Sequence, residues 1–197
     1  GNWVVPHLNG TIYAEKPPLF FWLINLSTFL LGGTTELANR LPSALAGLMT
    51  ILMTFFFGSK LFNPRVGFLS GLVLATCFFF PQISRWMMLD SLFSFFFLLA
   101  IYYLYLGINV PGKQRLYFLL SGTFIACGTL TKGPIAYLPI IVLIIYSLML
   151  KDMRKIWNRN LLYTVLLSVG LVMVWLLPAT GIAGKTYGTQ NVWHQTL

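Results

Sequence analysis

Acidic residues are nearly absent from this chain: Asp and Glu number 4 among 197 residues, and charged residues of every kind make up 9%. A water-soluble domain carries about 25% charged residues. The shortage excludes an ordinary soluble domain. At 57% hydrophobic residues the chain is also no disordered segment, since those have too little apolar surface to bury. Cysteine is scarce as well. Cys77 and Cys127 both lie in apolar runs, which points to neither a disulfide scaffold nor a metal cluster. Several catalytic motifs are missing too: there is no G-x-x-x-x-G-K-S/T nucleotide loop, no H-E-x-x-H metal motif and no G-x-S-x-G nucleophile turn. If the protein transfers a group, the donor is expected to be lipid-borne rather than a cytosolic nucleotide.

What is present is apolar and basic. Mean hydropathy is +0.79, and the formal net charge is +9. In a soluble protein that charge would suggest nucleic acid. Here the basic residues separate apolar blocks, which is the pattern of membrane topology, so no nucleic-acid partner is expected. The uncharged stretches are 17–35, 41–59, 66–84, 91–112, 116–131, 133–150 and 160–184. A hydrocarbon core of about 30 Å needs roughly 20 helical residues. Six of the seven stretches are expected to span, with 116–131 the shortest and extended by the stems of Arg115 and Lys132. The first stretch differs. Pro17-Pro18 and Gly32-Gly33 enclose 13 residues, which make a helix of about 20 Å. That is too short to cross, so an interfacial helix is expected. The resulting fold class is an all-α integral membrane protein, a polytopic helical bundle with six transmembrane helices and an outer interfacial helix.

Orientation follows from the positive-inside rule. One side holds Lys60, Arg65, Lys113, Arg115, Lys151, Arg154, Lys155 and Arg159 against Asp152 alone. The other holds Lys16, Arg40, Arg85, Lys132 and Lys185 with Glu15, Glu36 and Asp90. The first side is expected to be cytoplasmic. Residues 1–36 then form an extracytoplasmic loop and interfacial helix, 37–180 the six-span region, and 181–197 the start of a second outer loop. Any chemistry is expected on the outer surface. The chain begins at Gly1 rather than Met and shows no signal-peptide pattern; we read it as part of a longer membrane protein. Gly67 and Gly71 form one GxxxG pair, expected to let two helices approach closely. Two glycosylation sequons, at Asn9 and Asn25, are of the kind that arise by chance.

Four clusters are candidates for chemistry. The first is Tyr13-Ala14-Glu15-Lys16-Pro17-Pro18-Leu19. Its ordinary use is a proline-opened helix start with an ion pair in water. A lysine before a helix at the membrane surface also suits a lipid phosphate, attracted by cation and helix dipole together. Glu15 then orients Lys16 or binds a divalent metal. The second is Arg85-Trp86-Met87-Met88-Leu89-Asp90-Ser91. Asp90 is an ordinary helix N-cap or, as a carboxylate at the mouth of a span, a general base or acceptor-orienting group with Arg85 beside it. In the third, Leu130-Thr131-Lys132-Gly133-Pro134, turn chemistry accounts for Gly133 and Pro134 but not for Lys132, a second candidate phosphate contact. The fourth is the tail from Lys185 to Gln195, polar and aromatic, with Tyr187 and Trp193 suited to an interfacial belt. There His194 is a candidate metal ligand with Glu15, two ligands being fewer than a metal site needs. His7 is a loop residue with no placed partner.

The run Asn2-Trp3-Val4-Val5-Pro6-His7-Leu8-Asn9-Gly10, with Tyr13, Glu15-Lys16-Pro17-Pro18-Leu19 and Trp22, resembles the bacterial aminoarabinose lipid A transferases. It also resembles their dolichyl-phosphate-mannose–protein mannosyltransferase-like relatives, both being GT-C membrane glycosyltransferases. Glu36 with Ala38-Asn39-Arg40-Leu41-Pro42-Ser43-Ala44, the run from Arg85 to Asp90, and Leu130 to Pro134 continue the likeness in order. The resemblance implies transfer of a sugar from a polyprenyl-phosphate donor to an acceptor at the extracytoplasmic face of the bacterial inner membrane. Lipid A, protein and envelope glycan are the acceptor classes. It further implies that Lys16 contacts the lipid phosphate, that Glu15 is linked to a metal, that Asp90 is the second acidic residue of the site, and that Lys132 lies beside it. The family's first acidic motif, an Asp-Glu pair, is expected upstream of the position matching Trp3. A transporter or lipid flippase is the competing class, but those carry ionisable groups near the bilayer midplane, whereas here every charge falls at a span end. An inert anchoring subunit would let the outer charges be replaced freely.

Overall fold

A computed structural model describes residues 3–8, 11–13, 15–149, 151 and 159–184. It is helical apart from one hairpin of two-residue strands, β1 (His7–Leu8) and β2 (Thr11–Ile12). The helices are α1 (Leu19–Leu30), α2 (Glu36–Leu61), α3 (Pro64–Thr76), α4 (Phe79–Arg85), α5 (Leu89–Asn109), α6 (Gln114–Lys132), α7 (Leu138–Met149, entered through a 3-10 turn at Pro134–Tyr137) and α8 (Arg159–Ala183). Each of the seven uncharged stretches thus lies on helical structure, and each break falls at charge, proline or glycine except one.

Three helices, α2, α5 and α8, are long and apolar enough to cross a membrane, and the pair α3–α4, bent by 63°, makes a fourth if it is one span. The protein is therefore a multi-pass membrane protein. This is fewer than the six expected. Polar Ser121, Thr123, Thr129 and Thr131 dilute α6, and α7 has only 12 residues behind its 3-10 entry. At 1.5 Å per residue, the 12 residues of α1 reach about 18 Å. That is well short of a bilayer core.

The chain divides into two compact units, residues 19–98 and residues 1–18 with 99–197. In the first, proline and small residues shape the packing. Asn63 caps α3 by accepting from the Val66 N–H at 3.0 Å, and Pro64 occupies the first helical position. Pro81 explains the bend between α3 and α4: its ring would clash with the carbonyl four residues back, at Cys77, where α3 ends. Inside α2, which continues unbroken, Pro42 lacks the N–H that the Ala38 carbonyl would accept. The buried Ser27 hydroxyl of α1 donates to that carbonyl instead. Gly67 confirms the expected close packing. A Cβ there would collide with the Ser59 side chain and lie 2.5 Å from the Phe55 carbonyl of α2. Phe20, Ala46 and Leu92 form the buried cluster of this unit.

In the second unit α6 and α8 pack through polar groups as well as apolar ones. Thr164 Oγ1 donates to the Phe118 carbonyl at 2.8 Å, and the Ser121 hydroxyl donates to the Ala100 carbonyl of α5 at 3.0 Å. Phe118 itself is 1% exposed and packs with Leu104 and Leu143. Lipid is as apolar as leucine, so such directed bonds and close contacts matter more here than apolar burial.

Candidate functional site

The first cluster belongs to a strap, Trp3 to Pro18, that includes the hairpin and precedes α1. The strap is built by hydrogen bonds rather than by a helix. The hairpin pairs His7 with Ile12, and the Tyr13 N–H donates to the Pro6 carbonyl at 2.8 Å, closing the loop. The His7 ring packs back through an Nδ1 contact of 2.8 Å to the Val5 carbonyl. Val5 is fully buried, and the indole N–H of Trp175 in α8 donates to the Val4 carbonyl at 2.8 Å. Beyond the hairpin the Tyr13 hydroxyl donates to Glu15 Oε2 at 3.3 Å. Burial, and then the nearby Glu15 charge, raise the Tyr13 pKa above the ordinary phenol value. The hydroxyl therefore stays protonated at neutral pH and remains a donor. Glu15 is exposed, Lys16 half-buried, and Pro17 and Pro18 buried. The pyrrolidine rings of Pro17 and Pro18 hold their own φ angles at about −65°, which limits the backbone at the end of the strap.

Lys132 belongs to the same unit as Tyr13, Glu15 and Lys16. It is the last residue of α6 and half-buried. Gly133 follows at φ 81°, a conformation costly for any residue with a Cβ, and its N–H donates to the Thr129 carbonyl at 2.8 Å. Pro134 then opens the 3-10 turn. Gly133 and Pro134 do what turn chemistry expects of them.

Arg85 and Asp90 belong to the other unit. Arg85 is exposed at the end of α4. Asp90 is half-buried in the first turn of α5, one residue inside the helix rather than at its cap. A carboxylate there is favoured by the helix dipole. Its surroundings are held firmly. Ser43 Oγ of α2 donates to the Met88 carbonyl at 2.9 Å, and Leu89 and Leu92 on either side belong to the buried cluster around Phe20. Glu36 and Arg40 form an i,i+4 ion pair at 2.6 Å in the first turn of α2, both well exposed. Glu36 also lies beside the Thr35 cap, whose hydroxyl accepts from the Ala38 N–H at 3.1 Å.

His194 lies outside the described residues, as does the whole tail cluster. Among the described residues no group of three His, Cys, Asp or Glu side chains could hold a metal ion. Glu15 alone falls short of the three protein ligands a catalytic metal site uses.

Residues 15–177 match the family described as dolichyl-phosphate-mannose-protein mannosyltransferase. The chain belongs to that family. It is 29% identical over 189 residues to the undecaprenyl phosphate-alpha-4-amino-4-deoxy-L-arabinose arabinosyl transferase of Enterobacter sp. (strain 638), covering 93% of this chain and 33% of that one. The Pseudomonas savastanoi pv. phaseolicola (strain 1448A / Race 6) protein of the same name is 26% identical over 99% of this chain and 37% of its own. The chain spans about a third of the length of the curated relatives it matches. The fold is shared with the crystal structure of ArnT from Cupriavidus metallidurans bound to undecaprenyl phosphate. That likeness has a TM-score of 0.86 and 22% identity, and it covers 98% of this chain and 36% of that one. The apo form of the same protein gives a TM-score of 0.83.

Sequence reasoning did not find Trp175. Its link to Val4 joins residues 171 positions apart. A tryptophan inside an apolar helix carries no local mark of such a partner.

Proposed function

We propose that this protein is a membrane glycosyltransferase that moves a sugar from a polyprenyl-phosphate donor to an acceptor on the extracytoplasmic side of the bacterial inner membrane. The observation that carries this reading is the likeness over 93% of the chain to a protein named as an undecaprenyl phosphate-alpha-4-amino-4-deoxy-L-arabinose arabinosyl transferase. The donor is then an undecaprenyl-phosphate-linked aminoarabinose and the acceptor lipid A. No observation favours the transporter reading over this one.

The reaction breaks the bond between the anomeric carbon and the donor phosphate oxygen, and forms one between that carbon and an acceptor oxygen. Negative charge grows on the departing polyprenyl phosphate. Lys16 meets that charge, with Lys132 as a second cation; preorganised cations aimed at developing charge contribute a large share of such catalysis. Asp90 orients the acceptor and takes its proton where the acceptor is a hydroxyl. Tyr13 holds Glu15 by its hydroxyl and keeps the strap in shape beside Lys16, and Arg85 contacts substrate from the end of α4. Glu15 and His194 are retained as the residues toward which a divalent cation would turn. One carboxylate does not make a site, and no step is routed through a metal.

The topology proposed for this activity keeps six spans: α2, the α3–α4 pair, α5, α6, the 3-10 turn with α7, and α8. In this arrangement α1 lies at the interface, residues 1–36 and 181–197 face outward, and 37–180 form the membrane region.

The test uses the full-length protein in proteoliposomes with labelled undecaprenyl-phosphate aminoarabinose and lipid A. Release of undecaprenyl phosphate with label entering lipid A is the expected result. Label entering protein or glycan would replace the acceptor, and no release with any polyprenyl-phosphate sugar would overturn the reading.

A further inference from the structure

Lys16 is carried by a strap whose described residues between Ile12 and α1 belong to no helix or strand. The position of such a strap depends on what it is tied to. One tie reaches the membrane helices directly: the Trp175 indole N–H, donating to the Val4 carbonyl at 2.8 Å. Trp175 is 7% exposed and stands in the second half of α8. From Val4 the restraint passes along the strap by continuous bonds. Val5 is fully buried. Its neighbour Pro6 accepts from the Tyr13 N–H at 2.8 Å across the hairpin. Tyr13 in turn donates to Glu15 at 3.3 Å, one residue before Lys16. Every member of this series lies in the same compact unit.

We infer that Trp175 is a positioning residue for donor-phosphate binding, acting through the strap on Lys16. This rests on the reading that Lys16 contacts the donor phosphate. The indole N–H is well suited to the task. Indole offers a single donor and no acceptor, so its rigid ring aims one bond in one direction. The Val4 carbonyl, once bonded to it, fixes the start of the strap against a transmembrane helix. Removing the N–H takes one bond from the half-buried Val4, and the strap gains freedom at its root while Lys16 keeps its charge.

The inference is tested by a double-mutant cycle in the full-length protein, with Trp175→Phe, Lys16→Met and the pair. Phe keeps an aromatic ring against the strap and removes only the donor and some volume. Trp175→Phe is expected to raise the donor KM roughly fivefold to tenfold with kcat nearly unchanged, the size of one lost hydrogen bond. Lys16→Met is expected to raise it further, and the double variant to match Lys16→Met alone, because Trp175 acts only through that lysine. Amide exchange gives a second readout: the Tyr13 N–H should lose protection in Trp175→Phe while the amides of α2 keep theirs. An unchanged KM, or effects that simply multiply in the double variant, would overturn the inference. Faster exchange spreading into α2 would do so too, since it would mark general loosening. If Lys16→Met itself leaves donor KM untouched, the donor-site reading falls instead.

Discussion

The strap from Trp3 to Pro18 and the helix pair α2–α3 both fix chain at a membrane, by opposite means. The strap uses directed polar bonds: Trp175 to Val4, Tyr13 to Pro6, Tyr13 to Glu15. The helix pair uses the near absence of side chains. Gly67 lies so close to Phe55 and Ser59 that no Cβ fits, and a Cβ added at Gly58 of α2 would lie 3.1 Å from the Gly67 Cα. The strap carries the exposed Glu15 and the half-buried Lys16. Close backbone contact in the helix pair presents no charged group at the contact and supplies rigidity. Chemistry and packing therefore occupy different stretches of this chain, and substitutions should separate them.

Replacing a charge that the reaction uses should give the largest effect, on turnover and not on folding. Asp90→Asn keeps the shape of the α5 start and is expected to lower turnover about a hundredfold or more, the range of general acid–base catalysis. The melting temperature should stay within a few degrees. Unchanged turnover would remove Asp90 from the site.

In the helix pair the pattern should reverse. Gly67→Leu must push α3 off α2 and is expected to cost about 2–4 kcal/mol of stability, in the range of overpacking in a tight core. Activity per folded molecule should persist. A folded Gly67→Leu protein of full stability would show that the two helices part readily.

Thr164→Val probes the α6–α8 contact, where a hydroxyl and not a glycine holds two helices. It should cost about 1 kcal/mol, as hydrogen bonds between membrane helices do, read as a modest fall in denaturation midpoint. The smallest effect belongs to Glu36→Gln. Its pair with Arg40 is exposed on both sides, so stability should change by less than about 0.5 kcal/mol, with turnover unaffected. A large loss of turnover there would add Glu36 to the site.

The helices were legible because charge and proline punctuate them: α2, α5 and α8 fill the stretches 41–59, 91–112 and 160–184 to within a few residues. The break between α3 and α4 was not. It falls in the run Thr76-Cys77-Phe78, and its cause, Pro81, sits four residues downstream inside the next helix. The hairpin at His7–Ile12 was missed because two-residue strands show no alternation to detect. The 3-10 entry at Pro134 was read only as a helix start. Of the site, the residues near each helix end could be named from sequence because charge is rare enough for each one to stand out. Their supports could not. Nothing local in the α8 sequence says that Trp175 reaches Val4, and nothing near Ser43 says that it holds the Met88 carbonyl ahead of Asp90.

The central claim is that Lys16 on its strap receives a polyprenyl phosphate. It is tested most directly by titrating the full-length protein in nanodiscs with undecaprenyl phosphate and following thermal unfolding, wild type beside Lys16→Met. At a hundredfold excess over Kd, ligand binding to the folded state stabilises by about 2.7 kcal/mol. The account predicts a clear rise in Tm for the wild type and little or none for Lys16→Met over the same concentrations. An equal rise in both proteins would contradict it.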